Sequence, residues 1–393
     1  MVRKSAIVGQ SGGPTAVINS SLYGVIAEWK RRSSGKLFGA VHGIEGVLKG
    51  EMVDLTELDN SLIEGLKFTP GAALGGCRYM LKGGNGETKS IFDFFDMHDV
   101  GYFFYIGGND SMDTANKIQE AANKVGYDLR VVGIPKTIDN DLVETHHCPG
   151  FGSAAKYVIA SVREAGLHAE SMSTSEPVTV LTTVGRNTGW LPMATILARD
   201  RDNSAPHLVY IPEVRVSEEK ILSDVERVYR EVGWVFVVTG EGVKDASGSY
   251  IGVESDGVST DAFGHPMLGS VGEYLKSMIE SRLKLKTRTI KLDICQQSAM
   301  HFASLRDRDD AVLVGKRAVE LALEGLTGVM VTLEEVEGKT GTVALSVVAN
   351  AERTLPSEYI ESEGSYKEYV KPLIAGEVDI PIEDGLPKYV RIC

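Results

Sequence analysis

A short apolar run, a glycine-bearing turn and an amphipathic run recur in that order along this chain. Ser5–Val8 is followed by "GQSGGPTAVINSSLYGVIAEWK", in which Val17, Ile18, Leu22, Val25 and Ile26 fall at helical spacing. "GYFFYIGGNDSMDTANKIQEAANKVG" repeats the plan, with a strand over Tyr102–Ile106, a turn over Gly107–Asp110 and a helix from about Ser111. "LRVVGIPKTIDND" predicts another strand and "FGSAAKYVIASVREAGLHAES" a helix. "VTVLTTVGRNTGWLPMATILARD" and "GWVFVVTGEGVKDASG" are further strands with glycine exits. Strands alternating with helices predict βαβ units and a parallel sheet. Each polar, glycine-containing segment lies just after a strand. In open parallel sheets ligands bind outside the carboxyl ends of the strands. Gly12, Asn109, Asp110, Asp139, Asp141, Arg186 and Glu241 are therefore expected to converge on one cleft between two lobes.

Length and charge narrow the field. At about 100–200 residues per domain, 393 residues predict two domains or lobes. The net charge of -13 argues against a nucleic-acid partner, which needs a basic face for phosphates. It leaves room for small anionic substrates, because a local basic cluster can oppose the global sign. Cys77, Cys148, Cys295 and Cys393 are widely spaced, without metal or disulfide spacing, which predicts a reducing, cytoplasmic setting. The N-terminal "MVRKSAIVGQSGG" lacks the apolar run of a signal peptide, and no run is long enough for a membrane span.

Five glycine-rich or acidic segments carry the chemistry. "SGGPTA" at Ser11–Ala16 points backbone amides outward before a helix, either as a phosphate cradle or as a tight connection. It matches neither the P-loop nor the GxGxxG pattern, which sets aside a dinucleotide-dependent dehydrogenase. "GGNDS" at Gly107–Ser111 offers side chains to a phosphate or metal, or simply caps its helix. In "PKTIDND" an extended backbone would place Thr137, Asp139 and Asp141 on one face, with Lys136 adding a cation. Paired carboxylates can bind Mg²⁺ or take a proton from a hydroxyl; the alternative is an Asx-rich turn. "VGRNTGW" at Val184–Trp190 and "GGCRYMLK" present Arg186, Arg78 and Lys82 from turns, suited to phosphate or carboxylate. "KLKTRTIK" gathers Lys284, Lys286, Arg288 and Lys291, either as a solvated face or as partners for a sugar phosphate. His146 and His147 lie near the carboxylates, but their spacing is not that of a zinc site.

Taken in order, "SGGPTAVIN", "TPGAALGGCRY", "IGGNDSMDTA", "GIPKTIDNDL", "PGFGSAAKY", "VGRNTGWL", "VVTGEGV" and "YVKPLIAGEV" resemble the phosphofructokinase family over nearly the whole chain. The resemblance implies two Rossmann-like lobes with mostly parallel sheets and an active site in the cleft between them. It puts 1–150 plus about 298–350 in a donor-binding lobe, and 151–297 plus about 351–393 in a sugar-phosphate lobe. Asp110 and Lys136 stand where ATP-using members generally have glycine, as in the pyrophosphate-dependent branch. Bulk and charge at Asp110 would obstruct a nucleotide, and Lys136 would meet a short free pyrophosphate.

The resemblance further implies a reversible, Mg²⁺-dependent phosphoryl transfer from pyrophosphate to the 1-hydroxyl of fructose 6-phosphate. Asp139 is then the general base, with Asp141 and Thr137 supporting it and Arg78 acting in catalysis. Gly12, Asp110 and Lys136 bind and select the donor. Thr137, Asp139, Gly185, Arg186, Glu241 and Arg288 bind the sugar phosphate, Arg288 from a neighbouring subunit of a homodimer or homotetramer. Three positions depart from the family pattern. Asn109 replaces a metal-binding aspartate, and Val184 a common methionine. "LDICQQSAMHFAS" replaces a GH-x-QRGG-type segment, so Gln297 stands at an expected arginine, with Lys291 or His301 as replacements. Two alternatives are an ATP-dependent 6-phosphofructokinase and a catalytically silent phosphometabolite-binding homologue.

Overall fold

A computed structural model of the chain describes residues 4–82, 85–252 and 271–392, so Cys393 lies outside the described residues. The strands that frame the site are β1 (Ser5–Gln10), β2 (Leu37–Ala40), β3 (Met52–Asp54), β4 (Val100–Gly107), β5 (Arg130–Pro135) and β6 (Val178–Thr183). They continue with β7 (Leu208–Tyr210), β8 (Val235–Gly240), β9 (Thr287–Lys291), β10 (Val329–Leu333) and β11 (Thr340–Ala344). The chain forms two compact units, 1–153 with 297–353 and 375–393, and 154–296 with 354–374.

The first unit holds a seven-stranded sheet in the order β11-β10-β5-β4-β1-β2-β3. Its central strands run parallel, and only the β2–β3 and β10–β11 pairs are antiparallel. β1, β4 and β5 are continuous apolar runs because both of their faces are covered. On one face Ile7, Phe103, Tyr105 and Val131 pack with Met112, Ala115 and Ile118 of the helix Asn109–Val125. On the other, Val8, Phe104, Ile106 and Val132 meet the helices Ile18–Arg32 and Leu305–Leu323. These two helices touch backbone to backbone. A Cβ on Gly24 would lie 2.3 Å from the Val312 carbonyl, and one on Gly315 2.2 Å from the Ser21 carbonyl.

Residues 375–393 belong to this unit, where the sequence reading grouped them with the sugar-phosphate lobe. The reason is local. Val378 is buried with Ala16, Val17 and Met300, and the Val390 amide donates to Thr69 Oγ1 at 3.0 Å.

The second unit is built on a four-stranded parallel sheet in the order β7-β8-β6-β9. Val178, Val180, Val235 and Val237 pack against Ile221, Leu222 and Val225 of the helix Glu218–Val232. Leu275 and Ile279 of the helix Val271–Leu283 complete that core. Ser217 caps the first of these helices, its side chain accepting from the Lys220 amide. Among the described residues, no helix is long and apolar enough to cross a membrane.

Candidate active site

β1, β4 and β5 are neighbours and parallel, so their carboxyl-end loops emerge side by side. The Ser11 amide donates to the Ile106 carbonyl at 2.9 Å and the Lys136 amide to the Gly107 carbonyl at 3.0 Å. The Gly12 amide donates to the Cys77 carbonyl at 3.0 Å, which draws the Arg78 segment to the same edge. Tyr105 underlies this junction. Its hydroxyl meets the Ser11 side chain, the Ile44 amide and Cys77 Sγ.

Lys136 is 4% exposed, and its Nζ donates to the Gly13 carbonyl at 2.8 Å. Gly12 sits at φ +75°, and a Cβ there would lie 3.0 Å from Lys136 Nζ. Burial pushes the lysine down to about 8, with the Arg78 charge acting in the same direction. The charges of Asp141 and Asp139 oppose that fall, which places both carboxylates within electrostatic reach of the ammonium.

The carboxylate loop is not the extended segment that the sequence reading expects. β5 ends at Pro135, and residues 138–149 form neither strand nor helix. Asn140 takes φ +55°, so Asp139 and Asp141 are related by a bend rather than by strand alternation. Thr137 Oγ1 accepts from the Asp139 amide at 3.1 Å, an Asx-like local turn that fixes the start of the bend. Asp141 Oδ1 is buried without a hydrogen-bond partner. Burial raises the Asp141 carboxyl above its usual range; the neighbouring Glu352 adds to this, while Thr137 and Lys136 counter it. On the adjacent loop, the helix begins at Asn109, two residues before the expected Ser111. Asn109 Oδ1 accepts from the Asp110 amide at 2.8 Å, while the N-cap residue is Gly108 and carries no side-chain cap.

The second unit gathers its own set at the ends of β6, β8 and β9. The Glu241 amide donates to the Thr183 carbonyl at 3.2 Å, and the Gly242 amide to the Gly185 carbonyl at 3.1 Å. A Cβ on Gly242 would lie 1.7 Å from the Arg186 carbonyl, so only glycine lets these two loops interlock. Burial raises the Glu241 carboxyl, and the Arg186 and Lys291 cations oppose the rise. Lys291 thus joins Arg186 and Glu241, whereas Arg288 does not. Arg288 pairs in register with Thr179, early in β6, and its Nε donates to Glu176 at 2.6 Å. Glu176 also binds Lys286 at 3.2 Å, so within this unit the basic strand is mainly a solvated, ion-paired face.

Three further residues take defined places, and of these motif reading misses Gln296. Gln296 is buried, accepts from the Val184 amide at 3.3 Å and donates to the Asp293 carbonyl at 2.9 Å, which props the Arg186 loop. Gln297 lies in the first unit instead, its Oε1 3.3 Å from where a Gly13 Cβ would stand. His147 is buried between His146 Nδ1, at 3.0 Å, and Asp310 Oδ2, at 2.8 Å, a structural relay rather than a metal site. Among the described residues, no group of three His, Cys, Asp or Glu could hold a metal ion by itself.

A family model described as phosphofructokinase matches residues 5–322. The chain belongs to the phosphofructokinase family. Among its phosphofructokinase relatives, the pyrophosphate–fructose 6-phosphate 1-phosphotransferase of Xanthomonas campestris pv. campestris (strain B100) is 40% identical over 407 residues, covering 100% of this chain and 97% of the relative. The enzyme of that name from Methylococcus capsulatus is 38% identical over 409 residues, covering 100% and 97%. The crystal structure of a pyrophosphate-dependent phosphofructokinase from Nitrosospira multiformis superposes with a TM-score of 0.89 at 37% identity, covering 99% of this chain and 96% of that one. The phosphofructokinase fold, with its mostly parallel sheets, is thus the fold expected from the ordered motifs.

Proposed function

We propose that this phosphofructokinase transfers a phosphoryl group reversibly from pyrophosphate to the 1-hydroxyl of fructose 6-phosphate, giving fructose 1,6-bisphosphate and phosphate, a step of glycolysis and gluconeogenesis. The observation that carries the donor assignment is the Lys136 ammonium, held 2.8 Å from the Gly13 carbonyl at the glycine loop. A buried cation there meets the compact charge of free pyrophosphate. It also fills space that a nucleotide's inner phosphate and ribose would need. Asp110, in the first helical turn beside it, adds bulk and negative charge against the same groups. Full-length relatives bearing the pyrophosphate-dependent name support this reading.

Asp139 accepts the proton of the sugar 1-hydroxyl as it attacks, and returns it in the reverse direction. Thr137 holds the Asp139 amide, and Asp141 completes the acidic pair. Arg78 and Lys136 offset charge on the transferring group, because phosphoryl transfer depends mainly on positioning and charge neutralisation. Gly185, Arg186 and Glu241 bind the sugar phosphate, Arg186 as the anion partner and Glu241 as acceptor for a sugar hydroxyl. Arg288, exposed on the edge strand β9, serves the 6-phosphate of a neighbouring subunit in a homodimer or homotetramer. We place the enzyme in the cytoplasm.

The divalent ion is Mg²⁺. The residues fit an ion carried mainly by substrate oxygens, since Asp141 Oδ1 is buried and unpartnered and Asn109 offers a neutral oxygen. When bound, the ion neutralises phosphate charge.

The test is reversibility. Fructose 1,6-bisphosphate, phosphate and Mg²⁺ are expected to yield pyrophosphate and fructose 6-phosphate at rates comparable to the forward reaction. Forward turnover with ATP and no pyrophosphate in reverse would overturn the donor assignment. Binding of fructose 6-phosphate without turnover in either direction would favour the silent homologue.

A further inference from the structure

Arg353 belongs to none of the phosphofructokinase motifs that the sequence displays, yet it grips the carboxylate loop at several points. Its Nε and Nη2 donate to the Asn140 carbonyl at 3.2 and 2.8 Å. Its Nη1 donates to the carbonyls of Thr145 and His146 at 2.6 and 2.9 Å. Its own amide donates to the Asp141 carbonyl at 2.7 Å. Residues 138–149 lack a strand or helix ladder, so their carbonyls depend on such partners. One guanidinium, planar and always charged, gathers carbonyls from residues that are five and six positions apart.

The consequence falls on Asn140. This residue is buried, left-handed at φ +55°, and stands between the two aspartates. Its side-chain Oδ1 accepts from the Cys148 amide at 3.0 Å, so side chain and carbonyl are both pinned. Asparagine enters the left-handed region more readily than other non-glycine residues, and here its side chain and its carbonyl are both held in that setting. The angle between Asp139 and Asp141 therefore depends on the clamp at the Asn140 carbonyl.

We propose that Arg353 is a positioning residue for phosphoryl transfer. It fixes the left-handed Asn140 and thereby aims Asp139 and Asp141. The proposal rests on the assignment of Asp139 as general base. Arg353 lies one residue from Glu352, which acts on Asp141, so the clamp and the charge environment of the acidic pair are carried by the same short segment.

The test separates aim from binding. Wild-type enzyme is first assayed with pyrophosphate and with ATP, so that a wrong donor assignment shows itself before any variant is read. Arg353→Ala is then compared using the donor that the wild type accepts. The expected result is a loss of about 10²-fold in kcat, the scale of an ångström-level misplacement, with both KM values nearly unchanged. Millimolar guanidinium is expected to restore part of that kcat in Arg353→Ala and none in the wild type. A folded Arg353→Ala with wild-type kcat would overturn the proposal, as would a loss that guanidinium leaves untouched while both KM values rise. Should Arg353→Ala fail to fold, Arg353→Lys decides. A kcat loss with unchanged KM supports the clamp, because one ammonium cannot span the same carbonyls, and wild-type kcat overturns it.

Discussion

The Nζ of Lys136 lies 2.8 Å from the carbonyl of Gly13, and the two come from loops that follow different parallel strands of one sheet. A lysine buried to 4% exposure would ordinarily be costly. Here the Gly13 carbonyl and the charges of Asp139 and Asp141 partly offset the burial. A cation poised in this way, with its acidity tuned to about 8, is suited to an anionic donor and sensitive to pH.

The pH dependence follows in sign. The ammonium is present below about 8 and lost above it, so kcat/KM for pyrophosphate is expected to fall as pH rises through that value. Bound pyrophosphate stabilises the cation, so the fall in kcat is displaced to higher pH. Lys136→Met removes the step and lowers kcat/KM throughout. A step that survives in Lys136→Met would assign it to another group.

Asp139→Asn keeps the shape of the side chain and removes the base. Turnover is expected to drop by about 10²- to 10⁴-fold with the melting temperature retained. Steady-state rates with the natural sugar phosphate check this, and near-normal turnover would remove the base assignment.

Asp307 supports the site from behind. It accepts from the Gly150 amide at 2.9 Å, the Ser153 amide at 3.0 Å and Ser153 Oγ at 2.5 Å, at the start of the helix Phe151–Ser171. Asp307→Ala strands these buried donors and is expected to cost about 1–3 kcal/mol for each that stays unsatisfied, read by urea denaturation. Burial raises the Asp307 carboxyl to about 6. The folded state therefore holds this proton longer than the unfolded chain. Its contribution is fully present below the ordinary carboxylate value and is lost as pH rises through about 6.

Gly24→Ala probes the helix pair Ile18–Arg32 and Leu305–Leu323. The added methyl would meet the Val312 backbone at 2.3 Å. A loss of about 1–3 kcal/mol is expected, because overpacking here cannot be relieved by a side-chain rotation. Thermal unfolding with unchanged stability would show that the two helices can separate without cost.

Much of the fold is legible in the sequence, because β1, β4, β5, β6 and β8 are largely apolar and all but β5 run into a glycine-bearing turn. The individual residues at those ends are legible for the same reason. The relation of Asp139 to Asp141 is not, since alternation along a strand holds only while the backbone is extended, and Asn140 departs from it. Lys291 and Arg288 look equivalent in a run of alternating cations, yet strand pairing sends Arg288 to Glu176 and leaves Lys291 at the strand end, beside Glu241. Arg353 is invisible to motif reading because its partners are backbone carbonyls about two hundred residues earlier, and a carbonyl has no sequence signature.

The most direct measurement is a donor competition followed by phosphorus NMR. Equal pyrophosphate and ATP are supplied with fructose 6-phosphate and Mg²⁺, and both donors are observed in one sample. The account predicts that the pyrophosphate signal falls as fructose 1,6-bisphosphate appears, while ATP remains intact. Consumption of ATP with pyrophosphate untouched would contradict it, and would show that Lys136 and Asp110 do not select the donor.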